Sequence, residues 1–226
     1  FHGTSHQYVA GEAARYLERP SDALNLITLH LGNGASAAAI EKGKSIDTSM
    51  GLTPLKGLIM GTRCGDLDPA VHFYLVRRTG RPFAEIEGIL NKESGLKGIC
   101  GVNDMREIQN CAQNGDAQAE LAIEMFCYRV RKYIGAYFAA LGVVDAIIFT
   151  GGIGENSAAV RAKACDGLSA LQITVDEQKN NAVGGGIAEI QNECGGVKVL
   201  VIPTNEEYEI ARQTVDVIQR LKGHNR

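Results

Sequence analysis

The sequence predicts an α/β layer fold, a mixed sheet with flanking helices, on three observations. Short apolar segments at 26–30, 35–40 and 44–48 are separated by Gly32-Asn33-Gly34 and Glu41-Lys42-Gly43, both of which carry strand-reversing turn chemistry. A long stretch with helical periodicity follows. The run 144–149, rich in β-branched and aromatic residues, then reads as a strand buried on both faces. The 226 residues are 45% hydrophobic, which suffices for one core without disulfides or metal. No repeat, low-complexity tract or linker divides them, so one domain is expected.

Taken in order, residues 5–17 place Tyr8, Val9, Ala13 and Leu17 at helical spacing, with Thr4 or Ser5 as N-cap and Pro20 beyond the end. The three-stranded antiparallel meander comes next. Residues 51–68, dotted with glycine, run too long for an ordinary connection, and such loops in compact domains are often functional. Proline at or near the start opens helices at 69–79 and 82–90, and periodicity predicts two more at 104–113 and 116–141. Residues 133–154 carry a single charge, but Asp145 and Gly142 interrupt them, so they read as a helix end and a buried strand rather than a membrane span. Gly151-Gly152-Ile153-Gly154 is expected to turn that strand into a helix from about Ser157. A strand at 197–202 and a helix at 205–221 complete the pattern.

The net charge of −3, with lysine and arginine scattered, gives no basic footprint for nucleic acid. Six cysteines without a CxxC pair suit a reducing cytosol and argue against zinc ribbons and disulfide frameworks. The 27 glycines exceed an average composition and lack a collagen-like period. The sequence begins at Phe1 rather than Met, and it is read as a fragment.

Several segments can carry chemistry, each with a plainer alternative. The loop after the 144–149 strand lets an anion or nucleotide approach the backbone, yet it lacks the lysine of a P-loop and the spacing of a dinucleotide fingerprint. His30-Leu31-Gly32-Asn33-Gly34 is a hairpin that can clasp phosphate or merely turn, and His30 can be a structural histidine. Arg63 stands among small residues in the long loop, suited to a bidentate grip on carboxylate or phosphate, or to an ion pair with Asp66 or Asp68. His2-Gly3-Thr4-Ser5-His6 sets two histidines and two hydroxyls before a helix, for an oxyanion contact or a cap. Asn103-Asp104-Met105-Arg106 and Thr204-Asn205-Glu206-Glu207 read as helix caps, the latter also as a carboxylate able to hold Mg²⁺ through water.

In this order, FHGTSHQYV at 1–9, HLGNGAS at 30–36, DTSMGLTPLKGLIMGTRCGD at 47–66, NKESGL at 91–96, NDMR at 103–106, FTGGIGENS at 149–157 and IPTNEE at 202–207 resemble the acetate kinase family. The resemblance implies an actin-like ATPase (ribonuclease H-like) domain, here the C-terminal nucleotide-binding domain of a two-domain kinase, with the N-terminal domain absent. It implies reversible transfer of the ATP γ-phosphoryl to acetate, with Mg²⁺, in a cytoplasmic homodimer.

Position by position, the resemblance implies Arg63 and His2 as catalytic residues at the phosphoryl group and His6 as support. It implies His30, Leu31, Gly32, Asn33 and Gly34 as the phosphate hairpin. Asp104, Met105 and Arg106 fall on the adenosine side, and Gly152, Ile153, Gly154, Glu155 and Asn156 form the nucleotide loop. Phe1 and Pro54 belong to the acyl pocket and Glu206 is associated with Mg²⁺. Asn103 stands where serine is frequent. The N-terminal part of the family's site has no counterpart here, so the fragment alone is expected to be inactive. A propionate or butyrate kinase, or a non-catalytic nucleotide-binding module, stands as the alternative.

Overall fold

The structure, a computed structural model, describes residues 1–224. Strands β1 (Asn25–Leu31), β2 (Ala35–Glu41) and β3 (Lys44–Thr48) form the expected antiparallel meander. β4 (Ala146–Thr150) adds to β1 in parallel, β6 (Lys198–Val201) adds to β4 in parallel, and β5 (Ala188–Glu189) pairs antiparallel at the edge. The sheet order is therefore β3-β2-β1-β4-β6-β5.

The period-2 alternation of β1 divides its side chains between two helical layers. Ile27, Leu29 and Leu31 join Ala37, Ala39, Ile147 and Phe149 in the larger core, packed on Phe126, Val130 and Ile134 of the long helix. That helix, Ala117–Leu141, is capped by Asp116, whose side chain accepts from the amides of Gln118 and Ala119. Leu26 faces the opposite way, with Ile40, Ala146, Ile148 and Leu200 beneath Val9, Ala13 and Ala14 of the first helix, Gly3–Tyr16. Burying each of the valine, leucine and isoleucine side chains among these is worth about 1.5–3 kcal/mol. The next two positions on that face of β1 are polar, Thr28 and His30, and this change of character along one strand sets the site.

In chain order the helices are α1 (Gly3–Tyr16), α2 (Ala70–Thr79), α3 (Phe83–Lys92), α4 (Gly95–Cys100), α5 (Met105–Gln113), α6 (Ala117–Leu141), α7 (Gly151–Asn156), α8 (Ala158–Cys165), α9 (Glu177–Asn181) and α10 (Glu206–His224). Two expectations are corrected. Helix α1 starts at Gly3 after an N-cap His2 that makes no side-chain cap bond, so Thr4 and Ser5 lie inside the first turn and cap nothing. The glycines after β4 are not a turn leading to a helix at Ser157. They are themselves helical, α7 leaves β4 at once, and Ser157 caps the separate α8 by accepting from the amide of Val160 at 3.2 Å. Gly151 permits this abrupt entry with φ of 77°; a Cβ there would stand 2.8 Å from the carbonyl oxygen of Leu31. Helix α4 lies between the helices expected at 82–90 and 104–113, and it holds the Arg63 segment. Residues 51–68 are indeed irregular.

Among the described residues no helix is long and apolar enough to cross a membrane. All six cysteines are unpaired, and no group of three or more His, Cys, Asp or Glu is placed to hold a metal ion among the described residues.

Candidate active site

Segments leaving the carboxyl ends of the three parallel strands meet on one edge of the sheet, the place where open α/β sheets bind ligands. The hairpin 32–34 follows β1, α7 follows β4, and residues 202–206 follow β6.

Beneath α1 lies a polar seam. His6, 7% exposed, uses both ring nitrogens: Nδ1 lies 2.7 Å from Thr28 Oγ1 and Nε2 lies 2.8 Å from Ser36 Oγ. The same Ser36 hydroxyl reaches Nδ1 of His2 at 2.8 Å. The His2 ring stacks on His30 with centroids 4.1 Å apart, and His30 Nδ1 is bonded to Ser5 Oγ at 2.8 Å, which continues to Thr204 Oγ1 at 2.9 Å. Loss of hydration, reinforced by the neighbouring His30, lowers the pKa of His2 to about 4; burial lowers His6 to about 3, and burial also lowers His30. The three imidazoles are therefore neutral near pH 7. Glu206, at the start of α10, acts on His2 in the opposite direction, which puts a carboxylate in electrostatic reach of the same ring.

The Nε2 atom of His2 and Nη1 of Arg63 converge over Gly34, 3.3 and 3.7 Å from where a Cβ on that residue would stand. Arg63 is held in a tight turn: the amide of Met60 donates to the carbonyl of Arg63 at 3.2 Å, while the amides of Leu96 and Lys97 in α4 donate to Met60 and Gly61 at 2.9 Å. Gly95, with φ of 62°, lets α4 come this close. The Arg63 guanidinium touches the Pro54 carbonyl at 3.4 Å and the Met60 sulfur at 3.6 Å. The alternative of an ion pair with Asp66 or Asp68 is not what the structure holds. Asp66 instead accepts from Tyr133 at 2.7 Å and from the Gly57 amide at 3.0 Å, and it pairs with Arg129 at 3.7 Å. Within this segment Arg63 contacts only Pro54 and Met60 through its guanidinium among the described residues, whereas Asp66 and Arg129 fasten the loop.

A cleft of about 630 Å³ opens beside the hairpin between Asn33, Asp104, Arg106, Gly152, Ile153 and Asn156. This volume suits a nucleoside. The Gly61 amide donates to the Asn33 carbonyl at 2.9 Å and Asn103 Nδ2 donates to Asn33 Oδ1 at 3.2 Å, which joins the Arg63 loop, the hairpin and the start of α5 into one wall. Asp104 caps α5 through the Arg106 amide at 2.9 Å and grips the Arg106 guanidinium at 3.0 and 2.6 Å. The hydrogen bonds from Arg106 lower its carboxyl pKa to about 2. Asp104 therefore caps α5 and also lines the cleft. Met105 lines the same wall while 3% exposed.

Other expected site residues lie elsewhere. The Glu155 carboxylate turns away from the cleft, accepting from the Gly151 amide at 2.8 Å and the Thr204 amide at 3.1 Å, so it ties α7 to the segment after β6. Gly154 and Leu31 are buried. Phe1, 75% exposed, opens with His2, Ser36, Ala38, Ile40 and Met50 onto a second cavity of about 740 Å³. Pro54 is not among its walls and meets the site through its carbonyl. Asn205 rather than Thr204 caps α10, its Oδ1 accepting from the Tyr208 amide at 3.0 Å. Thr28, Ser36 and Gly95 are not singled out in the sequence as site residues. A signal was there for one of them: Leu26, Thr28 and His30 alternate along β1, so Thr28 shares the face of His30.

The sequence profile of the Acetokinase family matches residues 1–212. An acetate kinase of Syntrophobacter fumaroxidans is 69% identical over 220 residues, covering 97% of this chain and 54% of that protein. The crystal structure of Porphyromonas gingivalis acetate kinase superposes with a TM-score of 0.94 at 45% identity, over 96% of this chain and 55% of that one. A propionate kinase from Francisella tularensis superposes with a TM-score of 0.88 at 48% identity, over 93% and 53%. The chain spans about half the length of the curated relatives it matches.

Proposed function

The chain belongs to the acetokinase family, whose solved members share its mixed sheet and flanking helices, and we propose that it forms the nucleotide-binding, C-terminal lobe of a two-domain acetate kinase. The observation that carries this reading is the convergence of His2 Nε2 and Arg63 Nη1 over Gly34, beside a nucleoside-sized cleft. A module that only senses nucleotide has no use for two cationic or donor groups aimed at one point next to the cleft.

In the proposed reaction an acetate oxygen attacks the γ-phosphorus of ATP, a new phosphorus–oxygen bond forms, and the bond to the departing ADP oxygen breaks. Asn33, the Asp104–Arg106 pair, Gly152, Ile153 and Asn156 hold the nucleoside, and the hairpin amides face its phosphates. Arg63 offers a planar fork for the equatorial phosphoryl oxygens and the acyl carboxylate. Neutral His2 donates from Nε2 to the charge that builds on the transferring group. Positioning and neutralisation supply most of the rate enhancement in such a transfer. The donor set fits Mg²⁺ of the usual kind, held chiefly by phosphates and water: one carboxylate, Glu206, stands by His2, and Mg²⁺ keeps several waters. When bound, the ion neutralises phosphate charge. Phe1, Ala38, Ile40 and Met50 face the acyl side, and the other lobe narrows that cavity.

The six unpaired cysteines and the lack of a membrane-length helix among the described residues support the cytoplasm as the compartment. The homodimer rests on family resemblance. The test is product formation by the full-length protein with MgATP and acetate, propionate or butyrate, trapped as hydroxamate. Acetyl phosphate formed with the highest kcat/KM supports the reading; preference for propionate would move it to the kind of enzyme represented by the Francisella structure, and no acyl phosphate from any of the three would overturn it.

A further inference from the structure

The seam under α1 is a chain of hydrogen bonds with a direction. Ser36 carries one hydroxyl proton and contacts two ring nitrogens, Nδ1 of His2 and Nε2 of His6, each at 2.8 Å. It therefore donates to one and accepts from the other. Because both imidazoles are neutral, each has one protonated nitrogen, and fixing any link fixes all the others. Only two arrangements exist. In the first, Thr28 donates to His6 Nδ1, His6 Nε2 donates to Ser36, Ser36 donates to His2 Nδ1, and the His2 proton stands on Nε2. In the second every link is reversed, and His2 Nε2 becomes a bare acceptor.

Thr28 decides between them. It is fully buried, and His6 Nδ1 at 2.7 Å is its one side-chain partner among the described residues. In the reversed chain the Thr28 hydroxyl accepts from His6 and its own proton is stranded in the core, at the full desolvation penalty of an unpaired donor. In the forward chain that proton is used, and only lone pairs go unmatched, which buried structure tolerates better. The stacked His30 is backed in the same manner by Ser5 and Thr204.

We propose that Thr28, His6 and Ser36 are positioning residues that hold His2 as its Nε2–H tautomer and aim that proton at the phosphoryl group. The proposal rests on the acyl-kinase reading for the target of the proton, but the tautomer itself does not depend on it. A neutral donor suits a reversible transfer, since no proton has to leave or arrive as the phosphoryl group moves in either direction. It also explains why so polar a group of side chains is retained in the core behind a ring that touches ligand.

Two measurements on the full-length protein test this. In protein labelled with ¹⁵N-histidine, long-range proton–nitrogen correlation at pH 7 is expected to show His2, assigned by its loss in His2→Ala, with Nε2 protonated and Nδ1 bare. A protonated Nδ1 would overturn the proposal whether or not the enzyme makes acyl phosphate. Second, Ser36→Ala is expected to lower kcat on the order of 10- to 100-fold, the range seen when the partner behind an imidazole is removed, with KM for ATP within about threefold. In a His2→Ala background the same change is expected to add less than twofold, because Ser36 acts through that ring. An equal loss in both backgrounds would mark Ser36 as merely structural and would sink the assignment. If the wild-type protein makes no acyl phosphate, the functional reading fails while the nitrogen spectrum still decides the tautomer.

Discussion

His2 and His6 share one hydrogen-bonded chain and His30 belongs to a second that is joined to it by ring stacking, and the protonation of all three is coupled to folding. Their pKa values are lowered in the fold, to about 4 for His2 and about 3 for His6, from an ordinary value of 6.5. The unfolded chain therefore binds more protons than the folded one at every pH between these limits. Their contribution to stability is complete above about pH 6.5 and is lost as pH falls through the folded values. Urea denaturation of the described chain is expected to lose about 1 kcal/mol or more per pH unit between pH 6 and 4, and less in His6→Gln, which removes the most buried of the three. A flat profile over that range would mean that water reaches the seam. Glu206 works against the trend at His2 by favouring its protonated form, while Arg63 works with it.

At the scale of elements, the Arg63 loop is a small structure built from a helix start. Gly95 stands at φ of 62°, and a Cβ on it would lie 2.6 Å from the Arg63 carbonyl and against that of Met60. Gly95→Ala is expected to cost at least about 2 kcal/mol, the left-handed penalty plus a backbone collision that cannot relax. Gly88→Ala in the middle of α3, where nothing lies within 4 Å, is expected to be neutral or stabilising by about 0.5–1 kcal/mol. Equal effects of the two changes on the urea midpoint would contradict this account of the loop.

The same elements show what could be read beforehand. The meander, α6 and β4 were legible because their apolar periods are long and undisturbed. Helix α4, six residues, and β5, two residues, are too short to show a period. Helix α7 departs from that reading because Gly-Gly-Ile-Gly carries turn chemistry, while its helical start is fixed by the carboxylate of Glu155, four residues on in the same helix, and by the nearby end of β1. The site was legible in its motifs, which brought His2, Arg63 and Asn33 onto the page. The seam behind His2 was not, since Thr28 and Ser36 are ordinary strand residues until β1 and β2 pair beneath α1.

On the scale of the whole molecule, the sheet gathers a cleft of nucleoside size and the converging side chains of His2 and Arg63 on one edge, yet the chain matches only about half the length of its curated relatives. The proposed division of labour follows. The described chain is expected to bind ADP or ATP measurably by calorimetry while making less than a hundredth of the acyl phosphate made by the full-length protein. Turnover by the chain alone close to the full-length rate would show that no second lobe is required. The central claim, that Arg63 is aimed at a phosphoryl group in transfer rather than bracing its loop, is tested most directly by acetyl phosphate formation in full-length Arg63→Ala. The account predicts a kcat lower by about 10²–10³-fold with KM for ATP within a few-fold of normal; a kcat near that of the wild type would contradict it.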